Sequence, residues 1–140
     1  MTTLNKLQLI AHRAGAQVTI VEDEDNFFDC TNDEIHIDFV RPIPDFGFFR
    51  HLRESHGCEL GEALPQIFWV FLHELGHYFT LDYCEEDDLF TREFLKLLDD
   101  KQIAVPAYQD IYFNLESEWE ATEWAIGFVE ANYRWLRGLH

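Results

Sequence analysis

Residues 73–77 read His-Glu-Leu-Gly-His and hold the side chains best suited to chemistry in this chain. In a helix of 3.6 residues per turn, His73 and His77 lie about 40° apart, so both imidazoles leave one face. That geometry presents two nitrogen ligands to one Zn²⁺. Glu74 points about 100° away from His73, which suits a base that takes a proton from a metal-bound water. The alternative is a buried helix with two hydrogen-bonded core histidines; we favour the metal, because one ion would satisfy both imidazoles.

A catalytic zinc site needs a third protein ligand. One class of zinc proteases takes a third His six residues after the second, with a Gly between them. Thr80 and Tyr83 occupy those two positions here, which excludes that class. A downstream carboxylate is the remaining option. The last predicted helix offers five candidates, which are Glu116, Glu118, Glu120, Glu123 and Glu130.

Helical spacing separates these glutamates. Steps of about 100° per residue put Thr122, Ala125 and Val129 within about 40° of Glu118, so Glu118 lies on a small-residue, apolar face. The other four group on a face typical of exposure to solvent. An acid alone on a buried face needs a partner, and a metal ion would supply one. We therefore predict Glu118 as the third ligand, with Glu120 as the alternative.

The elements that must position these residues follow from hydrophobic periodicity and turn residues. Helices are predicted over 4–14, 48–54, 62–79 and 89–98, and from about 114 to 136. Strands are predicted over 17–21 and 34–40, joined across the acidic stretch 22–33. This order predicts an α+β domain in which a small antiparallel sheet packs on a helical core. The length of 140 residues suits a single domain spanning 1–140.

Two segments together, HELGH at 73–77 and ESEWEATEWA at 116–125, resemble the ImmA/IrrE-type metallopeptidases. Members of that family carry HELGH or a close variant, followed by a segment like E-x-x-A-N-x-F-A. Thermolysin-like zinc proteases, which are more distant, use a similar segment. The resemblance implies a zincin-like, gluzincin-type core with His73, His77 and Glu118 as zinc ligands and Glu74 as the base. Thr122 stands where the family has Asn or Asp, which implies a weaker bond to a ligating His.

The resemblance also implies a function, namely zinc-dependent cleavage of a protein substrate such as a repressor or another regulatory protein. Such proteins often belong to phages, mobile elements or stress responses, and many carry a DNA-binding domain for which this chain has no room. A donor to the reaction's oxyanion is expected as well. Four residues are unranked candidates for it, which are His51, Tyr83, Tyr112 and Tyr133.

A second hypothesis belongs to another class. The chain could be a non-catalytic acidic interaction protein, whose zinc is structural or whose surface mimics nucleic acid and blocks a basic partner. Twenty-seven acidic and ten basic residues leave a net charge of −17. This charge disfavours direct binding to nucleic acid or to anionic lipid in either case.

Three features of the sequence bear on the cellular compartment of the protein. The longest apolar run, residues 67–72, is far shorter than the roughly 20 residues of a membrane span. The N-terminus shows no signal-peptide pattern. Cys30, Cys58 and Cys84 show no C-x-x-C pairing, which is typical of reduced thiols. We therefore expect a cytoplasmic protein.

Three further features carry weaker signals. His51, His56 and Cys58 are a candidate second metal site, but their spacing fits no common motif. His36 is predicted to face solvent, because it alternates with two apolar neighbours on its strand. The acidic runs at residues 22–25 and 85–88 are candidates for binding Ca²⁺, but they lack the glycine and the ligand spacing of an EF-hand loop.

Overall fold

A computed structural model describes residues 1–40, 48–80 and 115–140 of the chain. Within these residues there are four α-helices, a 3₁₀ turn and three strands. The helices are α1 (Thr3–Ala14), α2 (Phe48–His56), α3 (Gln66–Thr80) and α4 (Glu116–Leu139), and the 3₁₀ turn is Gly61–Ala63. The strands are β1 (Thr19–Glu22), β2 (Phe27–Asp29) and β3 (Glu34–Ile37). The predicted α+β class is confirmed.

The three strands form one sheet in the order β1-β3-β2. β1 pairs with β3 in parallel, whereas β2 pairs with β3 in antiparallel. The prediction of an antiparallel sheet is therefore wrong, and so is the prediction that residues 22–33 only connect two strands. The chain reverses direction before and after β2, so β3 runs parallel to β1 and lies between the other two. Ile35 and Ile37 of this central strand are fully buried, which explains its position.

Helix α3 lies at the centre of the hydrophobic core. Five of its apolar residues are at most 1% exposed to solvent, namely Phe68, Trp69, Phe71, Leu72 and Leu75. It packs most extensively against α4 and also contacts the sheet and α1. Pro65 precedes its first residue, where a missing N–H costs nothing. The helix therefore begins four residues later than the predicted 62.

The two helices on either side of α3 in sequence also follow their patterns. α2 confirms the prediction for 48–54 and extends two residues further. α4 confirms the long last helix, although it runs to Leu139 rather than 136. Asn132 interrupts its helical geometry, and its side-chain amide donates a hydrogen bond to the carbonyl of Phe128. The predicted helix over 89–98 lies outside the described residues.

No helix within the described residues is both long and apolar enough to cross a membrane.

Candidate metal centre

The three predicted ligands meet where α3 packs against α4. The rings of His73 and His77 lie 4.9 Å apart between centroids, on one face of α3. His73 Nε2 is 2.6 Å from one carboxylate oxygen of Glu118, and His77 Nε2 is 3.2 Å from the other. All three side chains are close to buried, with 9–13% of their surfaces exposed. The carboxylate of α4 therefore bridges the two imidazoles of α3.

A close approach of the two helices makes this meeting possible. A Cβ atom at Gly76 would lie 2.3 Å from the carbonyl oxygen of Ala121. Ala121 and Ala125 are completely buried, in agreement with the small-residue face predicted for α4. The sequence reasoning missed the role of Gly76. The available signal was a glycine inside an otherwise apolar helix, which usually has a packing reason.

The hydroxyl of Thr122 orients His73. It donates a hydrogen bond to the backbone carbonyl of Glu118, 2.9 Å away. Because the hydroxyl proton is engaged in this bond, the hydroxyl oxygen accepts a hydrogen bond from Nδ1–H of His73 at 3.2 Å. With Nδ1 engaged by Thr122, Nε2 is the ring nitrogen of His73 that faces the Glu118 carboxylate. Thr122 thus contacts His73 from the position where the resembling family has Asn or Asp.

Glu74 lies beside these three residues and is 8% exposed. The group of potential ligand atoms consists of His73, His77 and Glu118 and does not include it. Burial raises the pKa of Glu74 above its usual value, and the nearby imidazoles oppose that shift. Its carboxylate accepts a hydrogen bond from the backbone N–H of Phe28 in strand β2.

The charges of the site are coupled through Glu118. Burial alone would raise the pKa of Glu118, but His73 and His77 outweigh it and hold that pKa far below its usual value. Burial disfavours protonation of His77, yet its hydrogen bond and charge interaction with Glu118 raise the pKa of this imidazole. An anionic carboxylate between two imidazoles is a ready acceptor for a cation.

The donor set fits zinc. Two imidazole nitrogens and one carboxylate are a common ligand set of catalytic zinc, and they leave a fourth position for water or substrate. All their ligand atoms lie within 4.8 Å of one another. Tetrahedral ligands at about 2.0–2.2 Å are separated by about 3.3 Å, and the two hydrogen-bonded distances here are 2.6 and 3.2 Å. A small outward adjustment of the side chains would admit the ion.

Glu120, the alternative third ligand, is half-buried and does not belong to this group. The remaining glutamates of α4, Glu116, Glu123 and Glu130, are exposed as predicted. The carboxylate of Glu123 is 2.6 Å from Nδ1 of His56.

The three residues of the candidate second metal site do not form one group of ligands. Nε2 of His56 and Nε2 of His51 are 3.0 Å apart, and both rings contact Trp119. Cys58 is buried in the hydrophobic core instead. Among the described residues, no group of three potential ligands contains these histidines.

A second group of potential ligands lies on the sheet and consists of Asp29, Glu34 and His36. The predicted alternation is confirmed, because Ile35 and Ile37 are buried and His36 between them is not, although only 15% of the His36 side chain is exposed. Its ring stacks on Phe27 and its Nδ1 is 2.8 Å from Asp23. The Asp29 carboxylate accepts hydrogen bonds from its own turn, including the N–H of Thr31, which gives it a local structural role.

Two of the candidate oxyanion donors are described. Tyr133 follows Glu118 by fifteen residues on α4, about 22 Å along the helix, and its hydroxyl accepts a hydrogen bond from Arg137. This distance excludes Tyr133 from the site. His51 lies in α2, which approaches the site through the contact between Phe48 and His73. Tyr83 and Tyr112 lie outside the described residues.

Comparison with known proteins yields no relative: no protein-family model matches the chain, and neither curated proteins nor solved structures provide a match. The likeness to ImmA/IrrE-type metallopeptidases therefore rests on residues 73–77 and 118–125.

Proposed function

We propose that this chain is a zinc-dependent metallopeptidase with a zincin-like core that cleaves a protein substrate. One observation carries the proposal: His73, His77 and Glu118 converge from two helices, while Glu74 lies beside them outside the ligand group. Two ligands one helical turn apart, a third from another helix and an adjacent carboxylate outside the ligand group are typical of hydrolytic zinc sites.

Zn²⁺, when bound, supplies a Lewis acid and lowers the pKa of a coordinated water toward about 7. The remaining work belongs to the protein. His73, His77 and Glu118 would hold the ion, and the hydroxyl of Thr122 orients the ring of His73. Glu74 would take a proton from the water whose oxygen attacks the scissile carbonyl, and it would deliver that proton to the leaving amine as the C–N bond breaks. Its raised pKa strengthens it as a base for this transfer.

A purely structural zinc site is less well supported. Structural sites usually have four protein ligands and no need of a neighbouring base. Here the described residues bring three ligands together, and the carboxylate next to them, Glu74, is nearly buried at a cost in free energy. That cost is understandable if the carboxylate has a chemical task.

The substrate and the compartment belong to the same proposal. The resemblance favours a regulatory protein, such as a repressor, as the substrate. The net charge of −17 favours a basic protein surface over nucleic acid as the docking partner. We place the protein in the cytoplasm, where the thiols of Cys30 and Cys58 would stay reduced.

Metal content is the first test. Elemental analysis and native mass spectrometry should find one zinc per chain in the wild type. His77→Ala and Glu118→Gln should lose it, whereas Glu120→Gln, the matched control on the same helix, should keep it. Absence of metal after reconstitution with zinc would refute the proposal. The acidic interaction protein would then be the better hypothesis.

Cleavage is the second test. Zinc-loaded wild type and Glu74→Gln would be incubated with a proteome-derived peptide library, and new termini would be identified by mass spectrometry. The variant should keep its zinc and lose cleavage by a factor of about 10² or more. Equal cleavage by both proteins would remove Glu74 from the mechanism.

A further inference from the structure

Among the described strands, β2 forms the edge of the sheet that reaches the proposed catalytic site. In the parallel ladder, Thr19 N–H donates to the carbonyl of Asp33 and Asp23 N–H donates to the carbonyl of Ile37. Odd-numbered residues of β3 therefore direct their peptide groups toward β1. Since peptide groups alternate along a strand, Glu34 and His36 direct theirs toward β2.

This alternation fixes the direction of the peptide groups in β2. Phe27 and Asp29 are the register partners of His36 and Glu34, so they make the hydrogen bonds to β3. Phe28 is opposite Ile35, whose peptide group faces the other way. The N–H of Phe28 therefore points away from β3, to the outer edge of the sheet.

Helix α3 covers that edge and supplies the acceptor. The Glu74 carboxylate accepts the hydrogen bond from the outward N–H of Phe28. One turn later on α3, the ring of Tyr78 contacts the ring of Phe28 edge to face, with centroids 5.9 Å apart. The Tyr78 hydroxyl also accepts a hydrogen bond from Gln17 N–H at 3.3 Å, just before β1. The donor is thus held by the ladder on one side and by α3 on the other.

We propose that the backbone N–H of Phe28 is a positioning group of the catalytic centre, which holds the Glu74 carboxylate beside the metal ligands. This inference rests on the proposed peptidase function. A glutamate side chain has three rotatable bonds, and a proton transfer needs a fixed acceptor. One carboxylate oxygen bound to the strand leaves the other free to exchange protons with the reacting groups. β2, a three-residue strand, acquires a role in catalysis through this bond.

Two variants of Phe28 isolate the N–H. Phe28→Pro removes both the ring and the N–H, whereas Phe28→Ala removes the ring alone and is the matched control. Proline is tolerated on an edge strand where the N–H points outward, so the ladder to β3 should survive. Both variants should bind one zinc per chain. With the peptide cleaved best by the wild type, kcat of Phe28→Pro should be about tenfold or more below that of Phe28→Ala, with similar KM. Equal kcat values would overturn the inference.

Amide exchange tests the same bond without an activity assay. In the wild type, NMR should show a protected Phe28 amide although it faces outward. Glu74→Ala should accelerate its exchange by about tenfold or more, whereas Glu74→Gln, which keeps an oxygen acceptor, should change it less. The amides of Phe27 and Asp29, bonded to β3, serve as internal controls. Unchanged exchange at Phe28 in Glu74→Ala would refute the contact even if Phe28→Pro failed to fold.

The two proposals fail in different ways. If the zinc-loaded wild type cleaves no peptide, the peptidase proposal fails and takes the catalytic role of Phe28 with it. If the wild type cleaves but the proline and alanine variants have equal kcat, only the role of Phe28 fails.

Discussion

Gly76 offers the sharpest test of how the two ligand helices are held together. In Gly76→Ala, the new methyl carbon would lie 2.3 Å from the carbonyl oxygen of Ala121 and 2.8 Å from its carbonyl carbon and Cα. Ordinary contact for such a carbon begins at 3.4 Å, so the helices must separate by about 1 Å. The opposing atoms all belong to the backbone of α4, so no side-chain rotation can relieve the clash.

Two effects of opposite sign set the magnitude. Alanine is favoured over glycine inside a helix by about 1 kcal/mol, which would stabilise the variant. Forcing a methyl group between packed backbones costs about 1–3 kcal/mol, so we expect a net loss in free energy of unfolding. The effect on zinc should be larger, because metal–ligand distances tolerate only about 0.2 Å of error. A displacement of Glu118 with α4 should weaken zinc binding by about 10-fold to 100-fold.

Gly127 provides the matched control. It lies within α4, and an added Cβ would meet nothing within 4 Å. Gly127→Ala should therefore be as stable as the wild type or slightly more so, with unchanged zinc affinity. Urea unfolding of the metal-free proteins and a competition titration with a zinc chelator would measure both quantities. A Gly76→Ala variant as stable as Gly127→Ala, with zinc affinity within about twofold of the wild type, would refute the close-packing argument.

Three further predictions concern the ligands. Thr122→Val should weaken zinc binding about 10-fold, whereas Thr122→Ser should retain it, because only the serine keeps an oxygen for Nδ1–H of His73. Equal zinc affinities of the two variants in a chelator titration would contradict this. In urea unfolding of the metal-free protein, the contributions of the Glu118 and His77 ion pair to stability should both be fully present only between about pH 4.5 and 6.5. Below this window the ion-pair contribution of Glu118 is lost, since its pKa is lowered on folding, and above it that of His77 is lost, since its pKa is raised. Glu118→Gln should flatten the acid side of this profile, and an unchanged profile would speak against the ion pair. Zinc should raise the melting temperature more at pH 7.5 than at pH 5.5, because the imidazoles must lose their protons to bind it, and a larger shift at pH 5.5 would contradict this.

The site residues on the two helices could be predicted from sequence, because helical spacing depends only on residues that are close together in the chain. Two histidines four residues apart share a face in any helix. Glu118 lies on the same side of α4 as Thr122, Ala125 and Val129, and the structure buries all three of these. Periodicity within one helix was enough to separate Glu118 from the glutamates on the exposed face. That it binds a metal stays a prediction.

The pairing of the strands was harder to predict from sequence, because it depends on residues that are far apart in the chain. β2 has three residues, Phe27–Asp29, and follows a run of acidic residues that favours a turn. Nothing in this short segment alternates long enough to indicate a strand. Its hydrogen bonds go to β3, and the direction of β1 relative to β3 depends on the existence of β2. One missed strand therefore produced the wrong sheet type as well. The contact between Phe28 and Glu74 was missed for the same reason.

The burial of acids links the fold to the proposed metal. Glu74 and Glu118 are nearly buried, in a chain whose net charge is already −17. Two buried carboxylates in such a chain are costly unless a positive charge accompanies them. A protonated His77 can provide that charge, but it loses the charge as the pH rises through the raised pKa of this imidazole. At neutral pH, a divalent cation among His73, His77 and Glu118 would balance both carboxylates at once. Binding of the ion would then stabilise the packing of α3 against α4, so that metal affinity and folding free energy measure the same contact.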